Sequence, residues 1–171
     1  MKKPSITQMM DWNQRRGEQT RIGFEILSKV VDLRKAHLSR DESDAITNEF
    51  IPIRLATILE VYLREAIREL VDFGEPYVER AQKLTKQVNI DLAFAAHVDQ
   101  QKLSIGDFVA HTLSVNRLSN IMSNFGNLID DFPKKLKRSH PRWTEETSTW
   151  PLPPIVKDYD AMMSNLDRLL T

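Results

Sequence analysis

The densest run of chemically capable side chains is Lys134-Lys135-Leu136-Lys137-Arg138-Ser139-His140-Pro141-Arg142, followed by Trp143. Five fixed positive charges in nine residues, with a histidine among them and an indole at the end, can follow a phosphate backbone and stack a base. Repulsion within such a run must be relieved by something anionic. RNA could do this, and so could residues 41–80 of the same chain, which carry ten acidic and four basic side chains. Two readings are therefore open. One is a nucleic-acid site made of Lys134, Lys135, Lys137, Arg138, Arg142 and Trp143. The other is a basic loop neutralised within the molecule or simply solvated.

Other candidates are weaker. Asp107 and His111 stand four apart, a spacing that lets a carboxylate orient an imidazole on one helix face. The same spacing also describes a plain surface pair, and that reading is preferred. Glu60 and Glu65 are five apart, so they do not share a helix face, and Arg64 and Arg68 offer each a neutralising partner. His37 falls on the apolar face of its helix and reads as a satisfied core histidine. The remaining histidines, 97, 111 and 140, have no metal-type spacing. There is no Gly-rich phosphate loop, no His-Glu-x-x-His pair and no Gly-x-Ser-x-Gly elbow. No catalytic residue, metal or cofactor is expected.

Composition sets the frame for these residues. The chain has 171 residues, 24 basic and 24 acidic, with 41% hydrophobic residues and no cysteine. That length suits one domain with a sizeable core. Zero cysteine excludes a disulfide framework and thiolate chemistry. No apolar run reaches the length of a membrane span, and no apolar core follows the basic start as in a signal peptide. A cytoplasmic protein with no membrane partner is the expectation, with residues 1–19 as a loosely attached arm.

The elements that must position the candidates read as helices throughout. Apolar residues at steps of three and four predict a first helix over residues 20–38, with Ile22, Ile26, Val30, Leu33 and His37 on one face. A second runs over 44–73, with a stripe of Ile51, Leu55, Ile58, Leu59, Tyr62, Ala66 and Leu70. Pro52 should kink it or mark its first turn, and Gly74 should end it. Pro76 opens a third helix through about Val88, and residues 89–101, apolar in the middle, read as helical too. Ser104 and Asp107 form a capping box for a short helix. Ser114 then caps another, carrying Val115, Leu118, Ile121, Met122 and Phe125, which Gly126 ends or bends. Residues 130–154 hold five of the eight prolines with Trp143 and Trp150, and read as a long connection. A last apolar helix starts near Pro154 and runs uncapped to Thr171, as if cut short. The fold expected is an all-α compact bundle of five to seven helices in one domain.

Two segments carry a family resemblance. Phe50 to Glu65, an apolar helix with Glu60 embedded in it, resembles the long helix of the HEPN superfamily (higher eukaryotes and prokaryotes nucleotide-binding), in the branch that includes the RiboL-PSP group. His111 to Phe125 is similar to that branch's segment of spaced apolar residues, followed by an aspartate-phenylalanine turn such as Asp131-Phe132. The resemblance covers about residues 20–171 through loose patterns.

The resemblance implies a helical domain that pairs as a homodimer or with a helical partner, in RNA-targeting toxin–antitoxin or phage-defence systems. Family nucleases cut RNA without metal, using an Arg and a His separated by four to six residues. This sequence departs there. Arg34 and His37 are too close and on the wrong helix, and Arg138 and His140 have one residue between them. Either the motif lies past Thr171 or this member lacks it. The function expected is thus an HEPN-like, RNA-targeting module without the ribonuclease motif in these residues, or else a non-catalytic helical interaction subunit.

Overall fold

The computed structural model describes residues 22–39, 45–86, 95–97, 103–139 and 156–171. The fold is all-α. Among the described residues there are seven helices and a single helical turn at 95–97, and no strand. This is one helical segment above the expected range, because a helix forms at the start of the segment read as a long connection. The chain divides into two compact units, Met1–Val115 and Asn116–Thr171. No helix among the described residues is long and apolar enough to cross a membrane.

The first unit contains α1 (Ile22–Ser39), α2 (Ala45–Asp72), α3 (Tyr77–Thr85) and α4 (Ile105–Thr112). Helix α2 is the centre, packing against the other three. It passes through Pro52, so the proline does not mark its first turn. Its ending follows the expectation: Gly74 takes φ 103°, a left-handed conformation that glycine adopts without a Cβ penalty. Glu60–Arg64 and Glu65–Arg68 pair as spaced, each at 2.8 Å.

The buried face of α2 differs from the expected stripe. Tyr62 is exposed, whereas Ile67 and Val71 are wholly buried. These two lie roughly opposite Ile58 around the helix, at about 100° per residue. Helix α2 is therefore covered on two faces, and the second face mixes Ile67 and Val71 with Arg64 and Arg68. His37 is also corrected: it is exposed on α1, as is Leu38, and is no core histidine.

Arg64 and Asp72 on that second face hold the two ends of α4. At its N-terminus the expected capping box is complete: Asp107 N–H donates to Ser104 Oγ at 3.0 Å, and Ser104 N–H to Asp107 Oδ2 at 2.8 Å. Asp72 extends the cap. It accepts from Gly106 N–H at 2.9 Å and from Ser104 Oγ at 2.8 Å. At the other end Arg64 Nη1 donates to the Ala110 carbonyl at 2.7 Å and the Leu113 carbonyl at 3.5 Å. An anion at the N-terminus and a cation at the C-terminus both complement the helix dipole. Eight residues of α2 span about 12 Å, which matches the length of the eight-residue α4. The approach is close: a Cβ on Gly106 would stand 2.5 Å from the Arg68 carbonyl oxygen.

The second unit contains α5 (Leu118–Leu128), α6 (Phe132–Lys137) and α7 (Tyr159–Leu170). Ile121, Phe125 and Leu128 are its buried residues on α5. Ser114 does not cap α5; Arg117 is the N-cap residue, with no side-chain cap bond. Gly126 neither ends the helix nor meets anything within 4 Å of where a Cβ would be, and α5 continues to Leu128. Helix α7 starts at Tyr159 rather than near Pro154, because Asp158 Oδ1 accepts from Ala161 N–H at 2.9 Å and sets its N-terminus. Its last turn is closed by Thr171 Oγ1, which donates to the Asp167 carbonyl at 2.7 Å. The expectations for residues 1–19, for most of 89–101 and for the connection over 140–155 lie outside the described residues.

Candidate nucleic-acid interface

The basic segment begins as a helix because its start is punctuated. Asp131 takes φ 53° in the left-handed region, which short Asx side chains tolerate, and turns the chain out of α5. Pro133 sits in the first turn of α6, where its missing N–H costs nothing. The Phe132 ring stacks on Phe125 of α5, with centroids 5.2 Å apart and planes inclined by 23°. This contact docks one face of α6 and decides which way the other points.

Lys134, Lys135, Lys137 and Arg138 are all exposed, while Phe132 and Leu136 are half-buried. At about 100° per residue the four cations fall within an arc of about 160°, opposite Phe132 and Leu136. Lys134 Nζ pairs with Asp131 Oδ1 at 3.0 Å, an exposed contact that water and salt weaken. Lys137 Nζ sits 5.8 Å from the centroid of the Tyr159 ring, so α6 and α7 meet through a cation and an aromatic face. Arg142, Trp143 and His140, the rest of the expected run, lie outside the described residues. Sequence reasoning missed Tyr159 as a neighbour of this site, since 22 residues separate it from Lys137 and no periodicity links them.

The other candidates resolve into structure. Glu60 and Glu65 are held by Arg64 and Arg68. Glu65 is buried, and Arg68 joins it to Asp72 at 3.3 Å. Burial works against the Arg68 charge. The hydrogen bond and charge of Glu65, with the charges of Asp107 and Asp72, outweigh it and hold the guanidinium above the ordinary arginine value. Asp107 and His111 are not a surface pair: Asp107 is buried in the capping box and His111 is half-buried. Burial, and then the nearby charge of Arg64, push the His111 imidazole below its ordinary value, against smaller opposing effects of Asp107 and Glu65. Among the described residues no cluster of three or more His, Asp or Glu side chains could hold a metal ion. No family model, curated protein or solved structure matches the chain.

Proposed function

We propose that the chain is an HEPN-like helical module of an RNA-targeting toxin or phage-defence protein, acting in the cytoplasm, and that it holds RNA on the cationic face of α6. The observation that carries the reading is that face: three exposed lysines on one docked helix and Arg138 at its C-cap, presented away from its apolar contacts. A polyanion gains counterion release there, which a dispersed set of lysines offers less well. The resemblance of Phe50–Glu65 and His111–Phe125 supports the family, as does the turn at Asp131. No catalytic residue is assigned.

The test is binding of a labelled RNA to the chain and to the variant with Lys134, Lys135, Lys137 and Arg138 all changed to Ala. Binding should fall by at least tenfold in the variant. Equal binding would remove the site.

A second reading is a non-catalytic subunit that pairs with another copy or with a helical protein. It rests on α7, where Tyr159, Met162, Met163, Leu166, Leu169 and Leu170 are only half-buried and no residue is fully covered. A monomer by light scattering at high concentration would count against the homodimer.

A further inference from the structure

We infer that Tyr159 is a base-stacking residue and that the nucleic acid bound beside it is single-stranded. The inference rests on the reading of α6 as an RNA site and adds what that site selects. Three observations lead to it. Tyr159 is the first residue of α7, and the Asp158 cap fixes the turn that presents it. Its ring is half-buried, and the group over its face is the ammonium of Lys137, itself exposed. The ring therefore lies beside the cations of α6. At 5.8 Å the ammonium is also near the limit of about 6 Å for cation–π attraction, so the ring holds it weakly.

A phosphate arriving at α6 competes for Lys137, because a full negative charge attracts an ammonium more strongly than a ring quadrupole does. When Lys137 turns to the phosphate it leaves the ring face free. A base attached to the same strand can then stack on Tyr159. Only an unpaired base can do so, since in a duplex both faces of each base are already stacked on its neighbours. The size of α6 agrees. Six residues span about 9 Å, which with the reach of its long side chains follows a few phosphates of one strand but not the two successive grooves that a double-strand reader crosses.

The test uses the full chain and a labelled, unstructured single-stranded RNA of about 12 nucleotides, alone and annealed to its complement. Binding is followed by fluorescence anisotropy across a salt series. Tyr159→Leu keeps an apolar side chain at the half-buried position and removes the ring, and Tyr159→Phe keeps the ring. Single-strand affinity should fall about tenfold in Tyr159→Leu with an unchanged salt slope, because stacking releases no counterions. Tyr159→Phe should bind like the native chain. Lys137→Ala should instead make the slope shallower. Equal affinity for the duplex, or no loss in Tyr159→Leu, would overturn the inference and leave the phosphate site of α6 standing. No binding of either RNA by the native chain would remove both.

Discussion

Arg64 and Asp72, eight residues apart on α2, grip opposite ends of α4: Arg64 Nη1 holds the Ala110 carbonyl at 2.7 Å and Asp72 Oδ1 the Gly106 N–H at 2.9 Å. Each satisfies a backbone group that a short helix leaves without an internal partner. Asp72→Ala should cost about 0.5–2 kcal/mol, the usual range for a lost N-terminal cap. Arg64→Met keeps the aliphatic stem and should cost about 1.5–3 kcal/mol, the range for hydrogen bonds from a charged group. Urea denaturation of the two variants checks both. Native-like midpoints would show that the grip is incidental.

Two helical glycines, Gly106 and Gly126, make a matched pair. Gly106→Ala places a Cβ 2.5 Å from the Arg68 carbonyl oxygen and 2.6 Å from Asp72 Oδ1. The backbone cannot yield as a long side chain would, so α4 must shift and the cap loosen. A loss of about 2 kcal/mol or more is expected. Gly126→Ala meets nothing within 4 Å in the interior of α5 and should stabilise by about 0.5–1 kcal/mol. Opposite signs in thermal melts of the two variants are the expected result.

How much was legible in the sequence follows from where each signal lies. The capping box at Ser104 and Asp107, the Gly74 stop and the Glu–Arg pairs of α2 depend on residues three to five apart, and all are present. The α4-facing side of α2 was not legible, because it mixes arginines with Ile67 and Val71 and shows no apolar stripe. Nor was α6, whose lysines and proline read as a loop until the Phe125–Phe132 stack docks it. Lys134, Lys135, Lys137 and Arg138 are exposed as expected, while the placement of Tyr159 beside Lys137 needed the structure.

Stability should depend on pH through His111. Its imidazole is pushed below the ordinary value of 6.5 in the folded chain, by burial first and by Arg64 second. The unfolded chain therefore binds the proton more readily. The stabilisation is complete above about pH 6.5 and is lost as pH falls from there toward the lower folded value. Urea midpoints at pH 7.5 and 5.5 should differ more for the native chain than for His111→Gln. An equal difference in both would contradict the assignment.

The purified chain is expected to leave RNA intact. Acid–base cleavage needs a positioned proton acceptor and donor with a cation for the phosphate. The sequence has no Arg followed by a His after four to six residues, the spacing that HEPN nucleases use. Incubation with labelled RNA in the presence of a chelator should yield only starting material. Cleavage that disappears in His111→Ala or His140→Ala would contradict this expectation.

RNA held on α6 must show itself in the salt dependence of binding. If RNA lies along Lys134, Lys135, Lys137 and Arg138, the logarithm of the binding constant should fall with the logarithm of salt concentration at a slope of about −2 to −3, near −0.7 per neutralised phosphate of a single strand. Each single change to Ala should make it shallower by up to about 0.7, with Lys134 giving least because Asp131 already shares its charge. A slope that stays the same when all four are changed to Ala would contradict the account.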